Sequence, residues 1–236
     1  MALGYPARAT HRHGEALALA RRLRDAPSLA QSLFMYAASQ VAAGDATVVL
    51  AIATELRELS ERHGFSQFEA SALMFLGWAL ARSGEIERGI AQMRGGFGIL
   101  RQQGPRALMT LGQCLMAEVY LMAHRYREGL EYVAEPLGDL SWLVRLNHLR
   151  AELLLHLNGS NDEAVEASLR AAISVARQQG TKGWELPSAT SLARLWADHG
   201  RRSEALDLLA PVYRWFTEGF ETRDLQAAKV LLDALG

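Results

Sequence analysis

Residues 73–89, LMFLGWALARSGEIERG, decide the fold. Apolar residues recur in them at helical spacing up to the turn residue Gly84, which predicts a helix that ends there. A second helix begins directly after the turn. The small residues Gly77 and Gly89 fall on the facing sides of the two helices and allow the axes to approach closely. The stretch therefore predicts an antiparallel helix pair.

The same pattern of a turn residue and, five positions later, a small or short apolar residue recurs along the chain. The pairs are Gly4 with Ala9, Gly44 with Val49, Gly84 with Gly89, His124 with Gly129, Gly159 with Ala164 and Gly200 with Ala205. The turn residues lie 40, 40, 40, 35 and 41 positions apart. Because a fixed period of this length is typical of repeat architectures, each period is interpreted as one helix pair.

Composition supports an all-α fold, since Ala and Leu, both strong helix formers, contribute 38 residues each. The predicted pairs are 27–42 with 45–62, 66–82 with 85–102, 106–122 with 125–137, 141–157 with 161–178 and 184–198 with 201–217. A helix at 6–24 would be the second half of an incomplete first repeat (1–24). A last helix at about 223–235, within 222–236 and N-capped by Thr222, would cover the end. We expect a single right-handed α-solenoid over 1–236, with about five and a half repeats of about 40 residues.

Charge and cysteine content exclude several classes of protein. The chain has 25 Lys+Arg and 26 Asp+Glu, a formal net charge of −1, which gives no electrostatic case for a nucleic-acid partner. No apolar stretch approaches the roughly 18 uncharged residues that a membrane span needs, so no membrane partner is expected. One cysteine cannot form an internal disulfide, and no signal peptide is recognisable, so the expected compartment is the cytoplasm.

Residues 184–232 carry a more specific pattern. Trp184-Glu185-Leu186 is followed by ATSLARLW at 189–196, LLAPVY at 208–213 and WFTEGF at 215–220. This segment resembles the C-terminal tetratricopeptide region of large bacterial signalling proteins, in which an adenylate/guanylate cyclase or another effector domain precedes an ATPase domain. Leu3-Gly4-Tyr5-Pro6 is similar to the same region.

The resemblance implies a regulatory role without catalysis, because this sequence lacks both the cyclase and the ATPase domains. Our first hypothesis is a protein–protein interaction module that binds a peptide or a partner domain, such as a cyclase/ATPase-type signalling protein. The alternative is a ligand- or peptide-sensing domain of a transcriptional regulator or cyclase. No cofactor is expected.

The sequence contains no recognisable motif for catalysis or metal binding that would favour an enzyme over an interaction module. The sequence lacks a phosphate-binding loop with a lysine, Gly-x-Ser-x-Gly, His-Glu-x-x-His and Cys-x-x-Cys. Gly95-Gly96-Phe97-Gly98 lies inside a predicted second helix and indicates close helix contact or a kink. His148, Glu152 and His156 share a helix face, but they span about 12 Å at 1.5 Å per residue, too far for one ion to bind all three. No metal site is predicted.

The repeat register instead predicts a binding groove. In this class the first helix of each pair lines the concave side, and the residue after its small residue points into the groove. That position and its neighbours one turn away give the candidate partner-binding residues Met74, Trp78, Arg82, Glu118, Met122, His148, Glu152, His156 and Arg194. The alternative for Trp78 is burial between repeats, and for the charged residues it is simple solvation.

The incomplete first repeat predicts a second interaction. The helix at 6–24 lacks the first helix of its own pair, so Leu17, Ala20 and Leu23 can pack on one neighbour only. An open solenoid end exposes an apolar face. We therefore expect this helix to fray or to bury that face, with self-association through the open repeat as one way.

Overall fold

The computed structural model describes residues 3–103, 106–137, 142–157 and 162–236. Over these ranges the regular structure is entirely helical. The helices are α1 (Pro6–Leu23), α2 (Ala26–Ala43), α3 (Ala46–His63), α4 (Ser66–Arg82), α5 (Ile86–Gln103), α6 (Arg106–Met122), α7 (Tyr126–Tyr132), α8 (Leu143–Leu155), α9 (Asp162–Gln179), α10 (Lys182–Asp198), α11 (Arg202–Arg214) and α12 (Arg223–Leu235). In the described part of the chain, no helix is long and apolar enough to cross a membrane.

The chain divides into two compact units, each with its own helix pairs. The N-terminal unit comprises Arg8–Trp142, and the C-terminal unit comprises Leu143–Gly236 together with Met1–Ala7. Within each unit, a first helix packs on the second helix of its own pair and on the first helix of the neighbouring repeat. The predicted all-α fold of consecutive helix pairs is thereby confirmed. One continuous solenoid over 1–236 stays a prediction.

Residues in the left-handed backbone conformation follow many of the helix ends. The residues with positive φ include Gly4, Arg24, Gly44, Gly64, Gly84, His124, Gly180 and Gly200. At Gly44 the N–H donates to the carbonyl of Val41 at 3.0 Å, and the next N–H, of Asp45, donates to Gln40 at 3.1 Å. This arrangement satisfies carbonyls that a helix end leaves unpaired. Gly159, the remaining predicted turn, lies outside the described residues.

Helices α4 and α5 contact each other closely through glycines. A Cβ atom added to Gly77 would lie 2.5 Å from the carbonyl oxygen of Gly89, and one added to Gly96 would lie 2.7 Å from that of Ala70. Neither position tolerates a side chain unless the helices move apart. The predicted role of Gly77 and Gly89 as close-contact residues is confirmed, and so is helix contact at Gly96. A Cβ atom added to Gly95, in contrast, would meet no neighbouring atom within 4 Å outside its own helix.

The prediction of a helix over 125–137 is wrong at its end, because α7 stops at Tyr132. The buried side chain of Gln113, on α6, holds the segment after α7 in place by hydrogen bonds. Its amide nitrogen donates to the carbonyls of Tyr132 and Glu135, both at 2.7 Å, and its oxygen accepts from the N–H of Leu137 at 2.9 Å. Pro136 also disfavours a continued helix, since it has no N–H to donate.

An arginine after the His124 turn ties two second helices together. Arg125 pairs with Glu128 on α7 and reaches Glu87 on α5 at 3.2 Å. Its guanidinium carbon also lies 5.2 Å from the ring centroid of Tyr120. The hydrogen bond from Arg125 holds the pKa of Glu128 below its ordinary value.

The same arrangement recurs after the Gly200 turn in the C-terminal unit. Arg201 pairs with Glu204 on α11 at 2.8 Å and reaches Glu166 on α9 at 3.4 Å. Its guanidinium lies 4.5 Å from the ring centroid of Trp196. The recurrence in both units shows that the repeat extends to the charged surface as well as to the core.

The two terminal helices follow the predicted apolar patterns in part. On α12, Leu225, Ala228 and Leu235 are buried, and the helix packs on α10 and α11. Thr222 precedes α12 as predicted, but its hydroxyl donates to the carbonyl of Gly219 at 2.6 Å and caps no helical N–H. On α1, Leu17 and Ala20 are buried, whereas Leu23 is exposed. Self-association through this helix stays a prediction.

The contact between α4 and α5 gives a matched pair of substitutions. We expect Gly77→Ala to lower the free energy of unfolding by about 1–3 kcal/mol, because the new methyl group overlaps the opposing backbone. We expect Gly95→Ala, in the same pair of helices, to raise it by roughly 0.5–1 kcal/mol, because alanine favours the helix and has room. Urea unfolding measures both. Equal effects at the two positions would contradict the close contact.

Candidate binding surface

The nine predicted groove residues divide between the two units. Five lie on α4 and α6 of the N-terminal unit, namely Met74, Trp78, Arg82, Glu118 and Met122. Three of the other four, His148, Glu152 and Arg194, lie on α8 and α10 of the C-terminal unit, and His156 directly follows α8. Each group is described within its own unit.

Two of the residues in the N-terminal unit belong to the core. Met74 and Trp78 are each 1% exposed, because α4 is surrounded by α2, α3, α5 and α6. The expectation that their side chains point into an open groove is corrected accordingly. The indole N–H of Trp78 donates to a carboxylate oxygen of Glu118, 40 residues later, at 3.2 Å. This bond joins equivalent positions of neighbouring first helices.

The remaining residues of this group keep accessible surface. Arg82 is exposed, and its guanidinium carbon lies 5.9 Å from the ring centroid of Trp78. Glu118 is half-buried, with one oxygen oriented by the Trp78 N–H. Met122 is half-buried against the core of the unit. The accessible surface here is a small charged area over a buried tryptophan.

A longer polar network joins α8 and α10 in the C-terminal unit. The hydroxyl of Ser188 lies 3.3 Å from Nδ1 of His148, and the other ring nitrogen, Nε2, lies 3.9 Å from Glu152. Ser191 donates its hydroxyl to the same carboxylate oxygen of Glu152 at 2.8 Å. The two bonds between the helices connect residues 40 and 39 positions apart, which is one repeat. The network fixes the half-buried histidine and carboxylate side chains.

Ser188, His148 and Glu152 follow one another in space, as the members of a catalytic triad do. Ser188 is 0% exposed, so its hydroxyl cannot contact a substrate. The distance of 3.9 Å between His148 and Glu152 also exceeds a hydrogen bond. In the described ranges, no three His, Cys, Asp or Glu side chains are grouped so that they could hold a metal ion. The arrangement of these three side chains therefore differs from that of a catalytic triad.

One turn further along the chain, four residues after Glu152 and three residues after Ser191, come two more ionisable side chains. His156 and Arg194 are both exposed. Among the described residues, Arg194 has no ion-pair or hydrogen-bond partner. We call the area formed by His148, Glu152, His156, Ser191 and Arg194 the α8/α10 face. It offers a fixed carboxylate acceptor and an exposed guanidinium donor on adjacent first helices.

Sequence reasoning missed the two serines that organise this face. Ser188 and Ser191 lie 40 and 39 residues after His148 and Glu152, so the repeat period alone could have paired them. It missed Gln113 as well, since a single glutamine in an apolar helix carries no recognisable pattern. The packing of Trp78 against Glu118 was also detectable, because the two occupy equivalent positions in successive repeats.

Known proteins resemble this chain in sequence, over part of a longer relative, and in structure, at low sequence identity. No protein-family model matches it. An uncharacterized protein of Rhizobium meliloti (strain 1021) is 27% identical over 191 residues, a match that covers 78% of this chain and 18% of that protein. The chain thus spans less than a fifth of the length of this curated relative. Among solved structures, the TPR2AB domain–pHSP90 complex of yeast Sti1 aligns with a TM-score of 0.42 and 12% identity over 96% of both chains.

The burial of Trp78 leads to a testable distinction between core and surface. We expect Trp78→Phe to lower the free energy of unfolding by roughly 2 kcal/mol, because it leaves a void and removes the donor to Glu118. Glu118→Gln keeps an acceptor oxygen, so it should lower the free energy of unfolding by less than half as much as Trp78→Phe does. Chemical denaturation of the two variants measures this. An unchanged free energy of unfolding in Trp78→Phe would contradict the burial of Trp78.

Proposed function

We propose that the chain is a non-catalytic protein-interaction module of a bacterial signalling system. It binds a peptide segment or a partner domain, such as part of a cyclase/ATPase-type protein, along the first helices of its repeats. The α8/α10 face is the principal contact area. Arg82, Glu118 and Met122 are the corresponding accessible positions of the N-terminal unit.

The observation that carries this proposal is the fixed geometry of the α8/α10 face. Ser191 and Ser188 hold the side chains of Glu152 and His148 in place before any partner arrives. A preorganised surface loses less conformational entropy on binding than a mobile one does. Glu152 keeps 26% of its side chain exposed, so the carboxylate remains accessible to a donor from a partner. Arg194, one helical turn after Ser191, supplies a charge of the opposite sign.

Sequence relationships support the module and signalling parts of the proposal. The match to the Rhizobium meliloti protein covers most of this chain but only 18% of that protein, which fits a repeat segment that serves as one part of a longer chain. The resemblance of residues 184–232 to cyclase–ATPase signalling proteins supports a regulatory partner. Solenoid repeats mostly act by binding other proteins along an extended surface.

Charge reversal on the α8/α10 face tests the proposal. Peptides are first selected on the wild-type chain from a random library displayed on phage, then labelled and titrated by fluorescence anisotropy. We expect Glu152→Arg combined with Arg194→Glu to weaken binding at least about tenfold, because both ionic contacts become repulsive. Because Glu152 also accepts the hydrogen bond from Ser191, the double variant should lower the free energy of unfolding by roughly 0.5–1.5 kcal/mol, and urea unfolding verifies that it remains folded.

Matched reversals on second helices provide the control. Glu163 on α9 and Arg214 on α11 are exposed and have the same charges. Glu163→Arg combined with Arg214→Glu preserves net charge in the same way and should leave peptide affinity unchanged. Equal losses in the two double variants, or no loss in the first, would contradict binding at the α8/α10 face.

A further inference from the structure

A second surface of the C-terminal unit already holds a peptide segment. Gly4 lies against Trp215, which follows α11, and against Lys182, the first residue of α10, and Tyr5 packs on Trp215 as well. Phe216 packs edge-on against Trp215, with ring centroids 5.4 Å apart and planes at 85°. Trp215 remains 38% exposed even with the segment in place. We call the area formed by Lys182, Trp215 and Phe216 the Trp215 surface.

The contact at its centre requires a glycine. Gly4 is buried and has a φ of +92°, a conformation that residues with a side chain rarely adopt. A Cβ atom at this position would lie 2.5 Å from Cζ3 of Trp215 and 3.3 Å from Cβ of Lys182. The indole ring therefore occupies the space that any larger residue would need. Shape and backbone conformation select glycine independently.

The next residue supplies an aromatic contact. The ring of Tyr5 lies 5.5 Å from the ring of Trp215, between centroids, with the planes tilted by 55°. Tilted aromatic pairs at this separation contribute attraction beyond the burial of apolar area. Leu3, in contrast, is largely exposed. The recognised element is therefore the dipeptide of a glycine and an aromatic residue.

Lys182 is held in place by an ion pair with the buried carboxylate of Glu185. Its ammonium group donates to Glu185 at 2.6 Å, and Arg177 of α9 donates to the other oxygen of Glu185 at 2.7 Å. Glu185 is 1% exposed, so these two cations balance a charge that is otherwise costly to bury. These bonds fix the lysine stem beside Gly4.

We propose that the Trp215 surface is a peptide-binding site for an extended segment with a glycine followed by an aromatic residue. The chain's own Leu3–Tyr5 occupies it, and a Gly–aromatic segment of a partner protein competes for the same place. A tethered segment acts at an effective concentration on the order of millimolar, so an external peptide binds weakly until the internal one is displaced. This site is separate from the α8/α10 face and does not depend on its function.

The test uses the full chain and a labelled synthetic peptide, LGYPARAT, with the sequence of residues 3–10. Fluorescence anisotropy compares its binding to the wild-type chain and to the Gly4→Val variant, whose own segment no longer fits. We expect the variant to bind the peptide at least about tenfold more tightly than wild type does. Adding Trp215→Ala to that variant should abolish binding. A peptide with valine in place of its glycine should not bind either chain.

Two results would overturn the proposal. One is an absence of peptide binding in Gly4→Val, and the other is binding that is equal in wild type and variant or that survives Trp215→Ala. Circular dichroism verifies that each variant is folded. Tyr5→Ala, which removes the aromatic contact without straining the backbone, provides a second displaced chain if Gly4→Val does not fold.

Discussion

The close approach of paired helices at small residues is the constraint on which the rest of the structure depends. Between α4 and α5, Gly77 and Gly89 place backbone against backbone, so the axial position of one helix on the other is fixed by shape. A larger residue at either position would push the helices apart and change every neighbouring contact. The left-handed residues at the helix ends, such as Gly84, then reverse the chain within a few residues.

Fixed pairs allow polar side chains of successive repeats to meet. Trp78 reaches Glu118 in the N-terminal unit, and Ser191 reaches Glu152 in the C-terminal unit, in both cases across one repeat. Hydrogen bonds of this kind have strict distance limits, so a shift of one helix would break them. The same register therefore accounts for the core, for the arginine contacts after the turns and for the oriented groups of the α8/α10 face.

The sequence was sufficient to predict most helices because their signals are local and repeated. Apolar spacing and turn residues placed α2 to α5 within a residue or so of their observed ends. The early end of α7 depends on Gln113, which is distant in sequence, and no local pattern indicates it. Thr222 has the residue type of an N-cap, but its hydroxyl has a competing backbone acceptor nearby.

The exposure of the candidate site residues was not predictable from the sequence. The repeat period places Trp78 and Glu118 at equivalent positions of successive repeats, yet it did not show that packing on several sides buries the tryptophan. Exposure depends on what surrounds a helix, and a periodic pattern on one helix does not contain that information. The Trp215 surface was not predictable from sequence patterns either, because it joins residues more than 170 positions apart.

Hydrogen exchange in the presence of a saturating peptide selected on this chain tests the central claim most directly, because slowed exchange maps the bound surface residue by residue. We expect slower exchange in α8 and α10 and unchanged exchange in the second helices α9 and α11. Protection confined to α9 and α11, with α8 and α10 unaffected, would contradict it.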